Sequence, residues 1–208
     1  MGRHDKTIDD EPPVSVSYMV GIIIGKTDRV WDFIHRRFQN CEDTLCERIC
    51  NAWVEALVLK TQSAYPDAGD ELPDWWPTDH FGSDKTDYMH YQELPKEKRV
   101  YLICHILKMT VQPLAKQPLT MAACKLNVTQ LKELAFGDLD PSAIISDEKN
   151  ALINDVFRVA GILKDYLAGR RDAGTEVFVN KNADCVLSND EEPTVLSPAA
   201  TWQSRGVP

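Results

Sequence analysis

An all-α fold is what this 208-residue sequence predicts: a compact bundle of five or six helices with a long tryptophan-anchored acidic loop, plus an extended segment or short strand near the N-terminus. Three observations carry the prediction. Apolar residues recur at three- and four-residue spacing over four separate stretches, the period of a helix with one buried face. Residues that start and stop helices bracket those stretches. Strand-like runs, by contrast, are confined to two short segments. At 43% hydrophobic and 26% charged, the composition suits one sizeable core.

Residues 1–13 read as a disordered start ending in Glu11-Pro12-Pro13. The β-branched run VSVSYMVGIIIG at 14–25 is bounded by glycine and predicts an extended segment or short strand. Thr27 is placed to cap a helix with Asp28 in its first turn, and Val30, Phe33, Ile34 and Phe38 follow helical spacing. A second helix is expected over roughly 42–61. There Leu45, Ile49, Ala52, Trp53 and Ala56 make one stripe that Cys46, Cys50 and Leu57 widen. A helix apolar over so much of its girth belongs in the middle of a bundle.

From Ser63 to Leu94 no period is sustained, and Pro66, Gly69, Pro73, Pro77 and Gly82 punctuate the chain. A connection this long is functional or is pinned by its own side chains, and Trp75 and Trp76 are the obvious pins. Pro95 suits the first position of a third long helix, whose inward face is Val100, Ile103, Cys104, Leu107 and Val111. Gln112-Pro113 ends it. Short helices are expected at about 119–126 and 129–136, closed by Gly137 and an Asp140-Pro141 turn. The last long helix opens at a Ser146 cap with Asp147 and Glu148 behind it, presents Leu152, Val156, Val159, Ala160, Leu163 and Leu167, and stops at Gly169. The bundle domain is thus expected over 14–171, with Trp53, Ile103, Leu107 and Leu163 in its core. Residues 172–208 read as a largely irregular tail in which EVFV (176–179) admits one strand.

Charge and motif exclude more than they assign. A net charge of −9 opposes bulk attraction to nucleic acid or to an anionic membrane, and the longest apolar run, Tyr18 to Ile24, is too short to span a bilayer. The polar start MGRHDKTIDDEPP and six scattered cysteines fit a reducing intracellular compartment. No CxxC pair supports zinc, so Cys41, Cys46, Cys50, Cys104 and Cys124 read as small buried hydrophobes in helices. Cys104 and His105 are adjacent on a helix and point about 100° apart, so they make no dyad. Phosphate loops, nucleophile elbows and dinucleotide fingerprints are missing as well. No catalytic residue, metal ligand or cofactor is therefore assigned, and the residues lean against an enzyme.

The layout of charge is uneven. Residues 61–95 hold eight acids against Lys85, whereas 96–135 hold seven bases against Glu97 and Glu133. Lys96, Lys98 and Arg99 fall in the first turn of a helix, where cations oppose the macrodipole. That end is expected to receive an anionic group, from a partner or from the acidic loop itself. The stretch from Met121 to Thr129 has a weak helix-turn-helix character, contradicted by Glu133 where the second helix would bury an apolar residue.

One ordered set of residues is more specific. The runs RVWDFIHRRF, CNAWVEALVLKTQSAYP, PDWWP and LPKEKRVYLICHIL contain Ala52-Trp53, Gln62, Tyr65-Pro66, Trp75-Trp76-Pro77, Lys96, Arg99, Leu102 and His105-Ile106-Leu107. Over about residues 22–168 this pattern resembles the fungal family of subtelomeric hrmA-associated cluster proteins and yeast-like helical bundle domains. The resemblance implies a helical bundle, in a family with some members linked to nuclear regulation of gene expression. It supplies no catalytic residues. Val58-Leu59-Lys60-Thr61 also departs from the more basic Pro-Lys-Lys segment expected there, which weakens a nucleic-acid role.

The leading reading is a non-enzymatic interaction module, binding a protein partner or a second copy of itself in a fungal nuclear setting. Its expected contact surface is Trp75, Trp76, His90, Lys96, Lys98 and Arg99, with the tail as a second docking segment. A DNA-associated regulator using the basic 96–135 segment is the alternative, and an enzyme or small-molecule binder with an unrecognised pocket is a third.

Overall fold

A computed structural model describes residues 19–65, 71–137 and 147–181, with side chains described from 152 in the last stretch. The expectations for the N-terminal residues, Pro66 and Gly69, the Asp140-Pro141 turn, the Ser146 cap and the chain beyond 181 lie outside these. In chain order the elements are β1 (Met19–Ile23), α1 (Thr27–Gln39), α2 (Asp43–Ala64), α3 (Thr78–Phe81), α4 (Thr86–Met89), α5 (Lys96–Val111), α6 (Leu119–Cys124), α7 (Val128–Phe136), α8 (Asp147–Leu167) and β2 (Glu176–Asn180). The architecture is a mostly helical bundle with one two-stranded sheet. Two of the eight described helices, α3 and α4, are single turns inside the acidic loop, where the sequence sustains no helical period.

Helix ends fall close to where local chemistry sets them. In α1, Asp28 sits in the first turn and Arg36 and Arg37 in the last, each favourable to the helix dipole. Thr27 is the first helical residue and not the cap; Lys26 takes the cap position. Pro95 likewise takes the cap position of α5, with ψ 157°. Gln112 ends α5 in extended backbone, because a proline ring clashes with a helical conformation at the residue before it. Asn127 and Gln130 cap α7 reciprocally: Asn127 Oδ1 accepts from Gln130 N (3.0 Å) and Gln130 Oε1 from Asn127 N (3.1 Å). Gly169, at φ +70°, supplies the left-handed residue that closes α8.

The core centres on Trp53 of α2, which is fully buried. Its ring meets Phe38 of α1 edge-on at 6.4 Å and Phe157 of α8 at 6.1 Å, and its indole N–H donates to the Leu131 carbonyl of α7 at 2.8 Å. One side chain therefore ties four helices together, with its single polar atom satisfied. Ile103, Leu107 and Leu163 are fully buried around it. Ile153 and Phe157 are buried too, so the inward face of α8 is broader than its aliphatic stripe.

β1 and β2 pair antiparallel with Val20 opposite Val179 and Ile22 opposite Val177. The strand admitted at 176–179 is thus real, and it completes the fold from within the segment read as tail. Gly25 follows β1 because a Cβ there would stand 2.6 Å from the Ala173 carbonyl oxygen. Asn180 is held firmly: its amide and side chain donate to Asp155 Oδ2 (2.9 and 3.0 Å), and its carbonyl accepts from Arg37. Asp155 is buried, so its carboxylate needs these donors and the Arg158 guanidinium at 2.6 Å.

Candidate functional site

The residues expected to form a contact surface lie where the loop 71–95 folds onto α5. Trp75 and Trp76 are 0% and 3% exposed. Their rings meet at 6.0 Å, Tyr88 packs edge-on against both, and Phe81 lies 5.0 Å from Trp76. Both tryptophans are committed to the core, so they hold the loop and present no ring to solvent. Trp75 Nε1 donates to Thr61 of α2 (3.4 Å), and Asp74 accepts from the amide and hydroxyl of Thr120 at the start of α6. On the outer side His80 stacks flat on Tyr101 at 3.6 Å, and His105 lies 6.1 Å beyond. Burial holds the His105 imidazole below its usual range, against the opposing pull of Asp79 and a backbone hydrogen bond to Trp75.

The three cations at the start of α5 have partners within the fold. Lys96 donates to the Cys41 carbonyl at 2.7 Å. Arg99, buried to 9% exposure, bonds Asp43 at 2.9 Å and Glu47 at 3.5 Å, both on α2. Lys98 pairs with Asp87 of the loop and lies 5.5 Å over the Phe81 ring. The anionic groups at this helix end therefore come mainly from α2 and only at Lys98 from the loop. His90 is exposed. Five of the six expected contact residues are engaged by the fold itself, which leaves three fewer free cations for a nucleic acid.

Four thiols gather behind this helix end. Burial pushes Cys50 and Cys104 up to about 12. Cys41 and Cys46 differ: their thiols donate to the Arg37 and Phe38 carbonyls at 3.1 and 3.2 Å, and the interaction between the two raises Cys41 and lowers Cys46, with Lys96 and Arg99 further favouring a Cys46 thiolate. Among the described residues no group of three or more histidine, cysteine or carboxylate side chains is arranged to hold a metal ion.

A different surface is open. Between α2 and α7 lies a groove of about 470 Å³ lined by Ala52, Ala56, Leu59, Leu126 and Leu134, with Glu55, Lys60, Gln130 and Glu133 around it. Leu59 is 66% exposed. The groove continues along α2 into a polar depression of about 410 Å³ containing Arg48 and Asn51. There Arg48 Nε and Nη2 and Asn51 Oδ1 are shielded from solvent without a hydrogen-bond partner among the described residues. Glu133, anomalous as a core position of a helix-turn-helix, is explained: it stands exposed on the rim. That misfit, with Leu59 lying off the α2 stripe, was the signal in the sequence for this surface.

No helix among the described residues is long and apolar enough to cross a membrane. A family model described as YDR124W-like, helical bundle domain matches residues 18–179, which span the fold from β1 almost to the end of β2. The subtelomeric hrmA-associated cluster protein AFUB_079030 of Aspergillus fumigatus (strain CBS 144.89 / FGSC A1163 / CEA10) is 24% identical over 202 residues, covering 83% of this chain and 34% of the relative. The chain thus spans about a third of the length of that relative. No solved structure matches. The match over the whole described bundle shows that the chain belongs to the YDR124W-like helical bundle domain family.

Proposed function

We propose that this domain is a non-enzymatic protein-interaction module of a fungal nuclear regulator, and that the α2/α7 groove receives an amphipathic helix of a partner protein. The observation that carries the reading is the open apolar groove beside polar atoms that have no partner among the described residues. The chemistry of the groove specifies the occupant. A ridge of aliphatic side chains at helical spacing fits Ala52, Ala56, Leu59 and Leu134. A lysine or arginine on its flank complements Glu55 and Glu133, and a carboxamide answers both the Arg48 donors and the Asn51 acceptor. The nuclear setting rests on the family resemblance, and the net charge of −9 favours a protein partner over nucleic acid.

Photocrosslinking tests the reading. A benzophenone side chain at position 59 should capture one helical segment from a nuclear extract, while the same group at exposed Asn154 on α8 does not. The captured segment, synthesised as a peptide, should then bind the purified chain and lose at least about tenfold in affinity to Leu59→Arg, the loss of an interface anchor. Equal crosslinking from both positions overturns the proposal, as does peptide binding indifferent to Leu59→Arg. Self-association abolished by Leu59→Arg would assign the groove to a second copy instead.

A further inference from the structure

We propose that the outer edge of β1 receives an extended segment of a partner protein, which pairs antiparallel with it and sets a lysine or arginine against Glu176. The inference is independent of the groove and starts from the hydrogen-bond phase of the sheet. Ile24 donates to the Thr175 carbonyl at 2.9 Å, one step beyond the Ile23–Glu176 pair. Bonded and non-bonded pairs alternate in an antiparallel ladder, so Ile22 with Val177 and Val20 with Val179 exchange the bonds inside the sheet. The backbone groups of Met19, Gly21 and Ile23 therefore turn away from β2, and those of Glu176, Phe178 and Asn180 turn away from β1.

The two edges are finished differently. Side chains close that of β2: Arg158 donates to the Phe178 carbonyl, Arg37 donates to the Asn180 carbonyl, and the Asn180 amide donates to Asp155 at 2.9 Å. On β1 the Ile23 carbonyl accepts from the Lys26 amide at 3.1 Å. The Gly21 amide and carbonyl and the Ile23 amide have no partner among the described residues. Strand edges that must stay unpaired are guarded by a charge, a proline or a bulge. Met19–Ile23 reads MVGII, in unbroken register with β2, and carries none of these.

Glu176 specifies what the edge accepts. A Cβ at Gly21 would collide with the Glu176 side chain, so the carboxylate of this exposed residue lies over the Gly21 backbone, on the neighbouring strand. No cation among the described residues pairs with it. A residue placed opposite Gly21 on an added strand projects to the same face, where a lysine or arginine meets the carboxylate. Its two neighbours fall beside Val20 and Ile22 on the core side and are apolar. Main-chain bonds to Gly21 and Ile23 then hold the segment, and the cation selects it. A second copy of this chain is the poorer occupant: two β1 strands paired about Gly21 would bring their Glu176 carboxylates against each other.

The test is a nuclear magnetic resonance titration of the isotope-labelled full chain with the acetylated, amidated peptide Thr-Val-Lys-Val-Thr, whose sequence reads the same in both directions. The expected result is saturable shifts centred on Gly21 and Ile23. Hydrogen exchange of those two amides should slow at least about tenfold at saturation, while Val20 and Ile22, already bonded to β2, change little. A peptide with glutamate in place of lysine should bind at least about threefold more weakly, and Glu176→Lys should reverse that order. The amide spectrum of the variant establishes that it is folded. The proposal is overturned if millimolar peptide leaves Gly21 and Ile23 unshifted, if both peptides bind alike, or if folded Glu176→Lys keeps the original preference. Slow exchange of both amides in the free chain at every dilution overturns it as well, and protection that grows with chain concentration alone overturns it in favour of a second copy.

Discussion

The loop 71–95 and the α2/α7 seam invert what their compositions suggest. The loop is acidic and broken by proline and glycine, yet it buries two tryptophans and contributes an ion pair and an aromatic cluster to the fold. The seam is lined by aliphatic side chains, yet it stays open, with Leu59 66% exposed. The difference teaches that burial here follows from what a segment can reach. Two large rings in sequence reach the space between α2 and α5 and carry their polar loop with them. Short alanines on α2 leave a space that Leu126 and Leu134 only partly fill.

Substitutions separate the two regions by size of effect. Trp75→Ala should cost about 3–5 kcal/mol of stability, since it empties a fully buried aromatic site, and a lowered denaturant midpoint in guanidinium checks it. A cost under about 1 kcal/mol would show the loop to be an ornament on the bundle and remove the contrast with the seam. Arg99→Met comes next, at about 1–2 kcal/mol, because a buried guanidinium loses two half-exposed carboxylate partners but its stem can still pack.

The His105 edge of the loop is sensitive to pH. Its imidazole is held below the usual 6.5 in the folded state, so between the folded and unfolded values the unfolded chain binds more protons. Its contribution is complete above about 6.5 and is lost as pH falls through that value toward the folded one. Thermal melts from about pH 7.5 down to about pH 5.5 should therefore show a falling midpoint, and His105→Gln should flatten that slope relative to wild type. An unchanged slope would place the pH response at other histidines. Lys98→Ala should cost no more than about 1 kcal/mol, since its pair with Asp87 is partly solvated, and the loss should shrink in high salt. Smallest of all, Leu59→Arg should move stability by less than about 0.5 kcal/mol while removing partner binding, which a melt and a peptide titration read separately.

By itself the sequence determined the helical class, the four long helices, the central place of Trp53 and the family. All of these rest on local periodicity, on residues that start and stop helices, and on an ordered set of large side chains, which any reading of the chain can count. The pinning role of Trp75 and Trp76 was legible for the same reason: two adjacent indoles have few places to go but inward. Only the tertiary structure decided the rest. Asp155 looks like an ordinary surface carboxylate until Asn180 and Arg158 converge on it from distant positions. Lys96, Lys98 and Arg99 read as a helix end that takes an anion from a partner or from the acidic loop, and only the fold brings Cys41, Asp43, Glu47 and Asp87 to them from the α1–α2 turn, from α2 and from the loop. That the Cys41 and Cys46 thiols reach the adjacent Arg37 and Phe38 carbonyls depends on how the end of α1 meets the start of α2. Periodicity reports which face of a helix turns inward; which charges and thiols meet there depends on contacts between residues far apart in the chain, and no local pattern encodes them.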